Sequence, residues 1–194
     1  MKKQWTITLT ALVLFTSIST TSAQCNVDSS TVAKTTRRSE KMPSIVLHHT
    51  VDAPADQVWA SWNDFGNVYK FNPVLSHSQL LAESPKEGVG CSRECNMKDG
   101  KNWVRERIID YSPNKSMTVD IYQGTMPLRK AQAVVEINPI NAHKTDVKFT
   151  MRFEPKFGIL GKMMVPMMKA QFRKMLGELL IANSAFVTQG KEVN

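Results

Sequence analysis

The sequence predicts an α+β domain in which an antiparallel sheet packs against one long C-terminal helix. Segments between residues 44 and 154 alternate between apolar and polar side chains, which is typical of strands with one buried face. The pair Asp99-Gly100 favours a two-residue hairpin turn. After residue 158, apolar residues recur every three or four positions, as on one face of a helix. These three observations indicate two layers, a sheet and a helix.

The first 23 residues are similar to a secretory signal peptide. Lys2 and Lys3 precede a short apolar stretch, and the segment ends in small residues at Ala23. We therefore expect residues 1–23 to be cleaved and the protein to be periplasmic or secreted. A lipoprotein anchored through Cys25 is the rival interpretation. Without an anchor, Cys25 is expected to be a free thiol or to pair between chains.

Residues 24–43 are polar and lack apolar periodicity, so we expect a disordered tether before a single domain at 44–190. Within the tether, residues 35–41 (TTRRSEK) either touch an anionic membrane surface weakly or stay solvated. The formal net charge is +8 and falls to +6 when Lys2 and Lys3 leave with the signal peptide. Because this charge is spread along the chain, nucleic acid is not expected as a partner. We expect a monomer.

The domain is expected to begin with one strand and two short helices. Residues 44–51 alternate, which places His49 on the apolar face. Pro54 and Asp56 are typical of a helix start, and apolar residues then recur at helical spacing as far as Trp62. A second short helix is expected to stop at Pro73.

Six further strands are predicted, and the Asp99-Gly100 turn sets the register of the central hairpin. They lie at about 77–82, 90–98, 102–111, 116–123, 128–138 and 144–154. The turn places Arg93 opposite Glu106 and Cys95 opposite Val104. Polar residues alternate with these positions and mark the outward face. The rest of the inward face is expected to contain Cys91, Met97, Ile108, Met117, Val119, Ile121, Ala131, Ala133, Val135, Ile137, Val147, Phe149, Met151 and Phe153.

One long helix is predicted from Gly158 to about Val187. Pro166 is expected either to start the regular part of this helix or to kink it. The apolar stripe of the helix is expected to contain Met164, Met168, Phe172, Met175 and Leu179.

The motif GVGCSREC places Cys91 and Cys95 on a predicted strand. Residues four apart on a strand are separated by about 13 Å, whereas a disulfide needs Cα atoms within about 7 Å. The same separation excludes a zinc pair, and the sequence offers no second pair of ligands. We therefore expect both thiols to lie in the core or to line a pocket.

The sequence indicates no metal site and no cofactor. His48 and His49 point to opposite faces of a strand and cannot share a metal ion. His49 faces inward, either as a core histidine or as a ligand contact. The methionines between residues 163 and 168 could bind copper(I), but an adaptable apolar surface is the favoured interpretation. The chain contains no phosphate-binding loop, metalloprotease motif or nucleophile–base constellation.

Arg93 and Glu106 are predicted to face each other on the inward side of the sheet. Burying two charges is costly, so such a pair is weak evidence for stability. The pair could be a structural ion pair or a polar anchor in an apolar cavity, and the residues alone leave both interpretations open.

Five segments occur in a recognisable order between residues 45 and 186: VDAPADQVWASWNDFGNVYKFNPVL, GVGCSREC, VRERIIDYSP, GTMPLR and FEPKFG. Together they resemble the polyketide cyclase/dehydrase and lipid-transport family, a branch of the START-like (SRPBCC) superfamily. The resemblance implies a helix-grip fold. In that fold a curved seven-stranded antiparallel sheet wraps around a long C-terminal helix, two short helices follow the first strand, and a deep cavity lies inside.

More distantly, the segment around Glu106 resembles the plant abscisic-acid receptors. The glutamate of the matching receptor segment lies in the ligand pocket, and the resemblance implies that role for Glu106. The receptors' gate loop is replaced here by the tight turn KDGK, so hormone-type gating is not expected. The segment FEPKFGILGKMM is similar to bacterial periplasmic members, some of which are associated with methanol oxidation. That likeness implies a periplasmic partner enzyme.

We expect a carrier for a small hydrophobic, lipid-like or polyketide-like ligand held in an internal cavity. The alternatives are a cyclase or dehydratase that uses Glu106 or His49 as general base, and an accessory protein of a periplasmic dehydrogenase. The inward face offers no developed catalytic set, which favours the carrier. The expected ligand-binding residues are Arg93, Glu106, His49, Trp62, Phe71, Cys95, Met97, Val119, Ile121, Ala131, Ala133, Phe149, Met168, Phe172 and Met175.

Overall fold

A computed structural model describes residues 42–194. It contains a seven-stranded antiparallel sheet and a long C-terminal helix, so the predicted α+β class and helix-grip fold are confirmed. The signal peptide predicted at 1–23, and the tether predicted at 24–43 as far as residue 41, lie outside the described residues.

The predicted order of elements is also confirmed. The strands are β1 (Ser44–Val51), β2 (Leu75–Leu80), β3 (Ser92–Met97), β4 (Trp103–Ser112), β5 (Ser116–Gly124), β6 (Leu128–Asn141) and β7 (Lys144–Pro155). The helices are α1 (Ala55–Asn63), a 3₁₀ helix (Phe65–Lys70), α2 (Gly158–Met163) and α3 (Val165–Gln189). The strand order β1-β7-β6-β5-β4-β3-β2 is antiparallel throughout and brings the first strand beside the last.

The β3–β4 hairpin has the register that its turn predicts. Arg93 pairs with Glu106, and Cys95 pairs with Val104. Gly100 has φ 68°, a left-handed conformation that glycine adopts without strain. The Asp99 carboxylate accepts hydrogen bonds from the backbone amides of Lys101 and Asn102, which closes the turn. The hairpin therefore brings the charged pair onto the inner face of the sheet.

The long helix predicted from Gly158 is interrupted, and Pro166 starts its regular part, which is one of the two roles expected for this proline. Met164 separates α2 from α3, and Pro166 lies in the first turn of α3. Proline has no N–H to donate to the carbonyl one turn earlier, so the regular part of the helix starts at this point. Met164 is 44% exposed and does not belong to the buried stripe, whereas Met168 does.

The core lies between the sheet and α3, with α1 closing one end. The rings of Phe153 on β7 and Phe172 on α3 meet edge to face, with centroids 5.0 Å apart. Asn183 on α3 donates to the Ser61 hydroxyl at 2.8 Å, and Ser61 in turn donates to the carbonyl of Val58. This buried polar chain attaches α3 to α1. Among the described residues, no helix is long and apolar enough to cross a membrane.

Candidate ligand-binding cavity

A cavity of about 530 Å³ lies between the sheet and α3. Its volume is within the range of roughly 300–1,000 Å³ that is typical of small-molecule sites. The wall is mostly apolar and comes from α1, the 3₁₀ helix, strands β2 to β7 and α3. The predicted ligand-binding residues on this wall are Trp62, Arg93, Cys95, Met97, Glu106, Val119, Ile121, Ala133, Phe149, Phe172 and Met175.

Phe71 and Ala131 were expected on the wall but lie in the packed core. The ring of Phe71 is held between Trp62 and Phe186, with centroid distances of 5.3 and 5.6 Å. Ala131 is buried beside its register partner Phe153. Neighbouring aromatic rings therefore fill the space that these two residues were expected to border.

Met168 and His49 also lie off the cavity wall. Met168 is buried, but the contribution of α3 to the wall starts one turn later, at Phe172. His49 is half-buried on β1, and within the described residues no part of that strand reaches the cavity. The location of His49 removes the histidine proposed as a general base from the cavity.

Two turns that sequence reasoning did not assign to the site form part of the cavity wall. The KDGK turn contributes Lys98 and Asp99, the β5–β6 connection contributes Met126, and the first residue of β6 contributes Leu128. The β5–β6 connection lies in GTMPLR, a segment singled out for its family resemblance, and the KDGK turn stands where the resembling receptors have their gate loop; these are the signals that could have found them. The other wall residues that were not predicted are Phe65, Val68, Asn72, Pro73, Val74, Leu75, Asn102, Val104, Met117, Val135, Met151, Leu176 and Leu179.

Arg93 and Glu106 form the charged pair that their register predicts. Nε and one terminal nitrogen of Arg93 lie 2.6 and 2.5 Å from Oε2 of Glu106. Their side chains are only 12% and 14% exposed. Arg93 also donates to the carbonyl of Phe65 at 2.8 Å and lies 3.8 Å from the centroid of that ring. The guanidinium therefore connects β3 both to β4 and to the 3₁₀ helix.

The pair retains hydrogen-bonding capacity after these contacts. Burial alone would lower the pKa of Arg93, but the Glu106 carboxylate outweighs it and the pKa is raised, so Arg93 stays charged. Within the described chain, Oε2 takes every hydrogen bond that Glu106 accepts, which leaves Oε1 available. A guanidinium has five N–H donors, and three of those of Arg93 are engaged.

The Cys91 and Cys95 thiols are both free and buried, as their predicted strand geometry requires. Cys95 lines the cavity, and its thiol donates to Oε2 of Glu106 at 3.8 Å. Burial, followed by the negative charge of Glu106, raises the pKa of Cys95. Since the thiolate is the reactive form, Cys95 acts here as a small apolar wall residue with a weak donor.

Trp62 brings an unsatisfied donor to the cavity wall. Its Nε1–H is buried and has no hydrogen-bond acceptor within residues 42–194. A buried donor without a partner is unfavourable by about 1–3 kcal/mol. A ligand or a water molecule that accepted this hydrogen bond would remove that cost.

Residues 42–180 match the family described as polyketide cyclase / dehydrase and lipid transport. The chain belongs to this family. No curated protein matches the chain. In the part described here, no group of three or more histidine, cysteine or carboxylate side chains is arranged to hold a metal ion.

Three solved structures illustrate how widely the fold of this family is shared. A START superfamily protein from Mycobacterium smegmatis is 18% identical with TM-score 0.65, covering 76% of this chain and 99% of that one. The protein XoxI from Bacillus cereus is 15% identical with TM-score 0.64, covering 76% and 97%. The Zhui aromatase/cyclase from Streptomyces sp. R1128 is 18% identical with TM-score 0.62, covering 77% and 98%. At these identities the similarity shows the fold alone.

Proposed function

We propose that the protein binds and carries a small apolar molecule with one polar end. The observation that carries the proposal is the cavity itself, which is about 530 Å³ in volume, apolar over most of its wall, and supplied with one charged pair. Such cavities bind ligands by burying apolar surface, while a few polar groups fix the orientation. Binding and carrying a ligand require no catalytic group on the cavity wall.

The charged pair defines the polar end of the ligand. Oε1 of Glu106 can accept from a hydroxyl, and the remaining N–H groups of Arg93 can donate to a hydroxyl, carbonyl or carboxylate oxygen. Because the opposite charges already balance each other, a neutral hydroxyl or carbonyl fits without leaving a charge unpaired. The resemblance to the abscisic-acid receptors, which assigns a pocket glutamate to the position of Glu106, supports the same role.

A cyclase or dehydratase is the second candidate, and the aromatase/cyclase among the structural neighbours keeps it open. Its general base would have to be Glu106, since His49 lies off the cavity wall. Oε2 of that carboxylate already accepts hydrogen bonds from a guanidinium, so only Oε1 could take a proton. No histidine lines the cavity within the described residues to relay a proton. These features favour binding over catalysis.

We propose in addition that the carrier is periplasmic or secreted and that it serves a partner enzyme there. The signal-peptide pattern at residues 1–23 supports a periplasmic or secreted carrier, and the likeness of FEPKFGILGKMM to periplasmic members supports an accessory role there. N-terminal sequencing of the protein from fractionated cells tests the location. A mature chain beginning at Gln24 is expected, whereas a lipid-modified Cys25 at the N-terminus would identify a lipoprotein.

Native mass spectrometry of protein purified from its own cells tests the carrier function directly. We expect a co-purified apolar molecule with one polar group. Its release unchanged after incubation supports a carrier, whereas a product that has lost the mass of water or gained a ring identifies an enzyme. Failure to recover or bind any apolar compound would contradict both functions.

A matched ligand series tests the charged pair. We expect a fatty alcohol and a methyl ketone to bind at least about tenfold tighter than the alkane of equal length, because only they satisfy the buried polar groups. Glu106→Gln should reduce this preference. Glu94→Gln is the matched control, because Glu94 pairs with Arg105 in the neighbouring register position and neither residue lines the cavity. Equal affinities across the series would make the Arg93–Glu106 pair purely structural.

A further inference from the structure

We propose that α2 and its flanking residues dock onto the surface of an anionic phospholipid bilayer. Five large apolar side chains there are more than half exposed, and we call them the α2 ridge. They are Phe157 (71% exposed), Ile159 (78%), Leu160 (70%), Met163 (75%) and Met167 (51%). Apolar side chains gathered at this exposure on a folded domain mark an interaction surface.

Local packing explains why the ridge faces solvent. Gly161 is the buried residue of α2, and a Cβ atom there would lie 2.0 Å from the carbonyl oxygen of Lys156. The inward side of α2 therefore accepts only glycine, and the large apolar residues point outward. Phe157 adopts φ 73°, a left-handed conformation that is unfavourable for a non-glycine residue, at the turn that precedes α2. This arrangement reverses the usual amphipathic pattern of a surface helix.

The charges around the ridge identify the partner as anionic. Between Glu154 and Glu178 the sequence contains no acidic residue. The basic residues in the same interval are Lys156, Lys162, Lys169, Arg173 and Lys174. Exposed phenylalanine, leucine and isoleucine flanked by lysine form the pattern of a segment that lies in a membrane interface. The apolar side chains would enter the boundary of the acyl chains, and the cations would contact lipid phosphates.

The position of the ridge connects the bilayer to the cavity. The amide of Lys156 donates to the carbonyl of Pro127 in the β5–β6 connection at 2.9 Å. Met126 and Leu128, on either side of that proline, line the cavity. A bilayer docked on the ridge would therefore lie beside this part of the wall. Docking does not rest on the proposed carrier function, and it adds a lipid surface to the partners of the protein.

Co-sedimentation with vesicles tests the proposal. We expect the purified protein to bind phosphatidylglycerol vesicles more tightly than phosphatidylcholine vesicles, with affinity falling as salt is added. Changing Ile159 and Leu160 to serine together should weaken binding by about tenfold or more, since both side chains leave water on docking. Lys162→Gln should weaken binding by about fivefold, the share expected of one cation near an anionic surface.

Matched variants distinguish vesicle binding through the α2 ridge from nonspecific apolar adsorption and from binding through the N-terminal segment. Ile140→Ser and Ile181→Ser remove apolar side chains that are 55% and 62% exposed elsewhere, and they should leave binding unchanged. Lys191→Gln is the matched control for Lys162. The ridge, isoleucine and lysine variants keep the same N-terminal residues, so any contribution of residues 35–41 is common to them, and circular dichroism checks that each variant is folded.

Four results would overturn the proposal. The first is no preference for phosphatidylglycerol, and the second is an equal loss of binding in the Ile140 and Ile181 controls. The third is binding that survives the ridge variant but disappears in Arg37→Gln/Arg38→Gln, which would assign it to the N-terminal segment. The fourth is a lipid-free dimer in analytical ultracentrifugation that the ridge variant abolishes, which would make a second copy the occupant.

Discussion

At the scale of single residues, the thiols of Cys91 and Cys95 should be unreactive in the native protein. Burial raises the pKa of both Cys91 and Cys95, which lowers the fraction of reactive thiolate. We expect maleimide to label neither residue in the native protein within a time that labels both in denaturant. Cys25, where present as a free thiol, serves as an internal standard for fast labelling. Rapid native labelling of Cys95, identified by peptide mapping, would contradict its burial.

The raised pKa values of both thiols should make the free energy of unfolding decrease at alkaline pH. A raised pKa means that the folded state holds the thiol proton more tightly than the unfolded state, whose pKa is about 9. Below that value both states are protonated, and the contribution to the free energy of unfolding is fully present. As the pH rises above it, the unfolded state releases its protons first, and the contribution is lost. Urea titrations from pH 7 to pH 10 should show this loss, and it should be smaller in Cys95→Ala than in Cys25→Ala.

Residue positions were predictable where local geometry determines them. Asp99-Gly100 set the hairpin register, and the register alone placed Arg93 opposite Glu106. Whether an inward residue borders a cavity or packs in the core is not a local property. Phe71 lies in the core because rings distant in the sequence enclose it, and the alternation of a strand carries no information about those rings.

At the scale of elements, two glycines of the C-terminal helical segment should respond in opposite ways to alanine. Gly161→Ala should destabilise the protein by about 1–3 kcal/mol, because its Cβ would collide with the carbonyl of Lys156. Gly177, within α3, has open space around it, so Gly177→Ala should stabilise by about 0.5–1 kcal/mol. Urea unfolding compares the two variants. Equal stabilisation by both would show that α2 does not pack against the end of β7.

The attachment of α3 to α1 can be tested at Ser61. Ser61→Ala should destabilise the domain by about 1–3 kcal/mol, because it leaves the buried amide of Asn183 without its acceptor. Ser76→Ala is the control, since that hydroxyl is exposed and the change should stay within about 0.5 kcal/mol. A loss in Ser61→Ala no larger than in the control would show that the two helices are held by apolar packing alone.

The limits of the helices were less predictable than their existence. The apolar repeat runs from Gly158 through α3 without a gap, so periodicity alone gives one helix. The interruption at Met164 arises from Pro166 and from the close approach of Gly161 to the preceding segment. The second cause depends on how α2 folds back against the end of β7, which periodicity does not report, and it also turns the apolar side of α2 toward solvent.

At the scale of the whole molecule, the family resemblance predicted the cavity better than the residue pattern did. A sheet and a helix with complementary apolar faces could equally have closed into a solid core. The space remains because the sheet curves around α3 and because small side chains such as Ala133 occur where the two layers face each other. Curvature depends on all seven strands together, and for that reason it cannot be predicted from any one segment.

A large side chain that fills the cavity should prevent ligand binding there. Ala133 lies on β6, and its register partners Val119 and Met151 also line the wall, so a large side chain at this position must project into the space between the layers. Ala133→Trp should abolish the binding of an environment-sensitive apolar dye while leaving the far-UV circular dichroism unchanged. Ala170→Trp, the same change at an exposed position of α3, should leave dye binding intact. Because an indole at position 133 competes with the ligand for apolar surface, the variant should also lose the co-purified molecule in native mass spectrometry. Undiminished dye binding in Ala133→Trp would place the bound dye outside this cavity and remove the main support for a carrier.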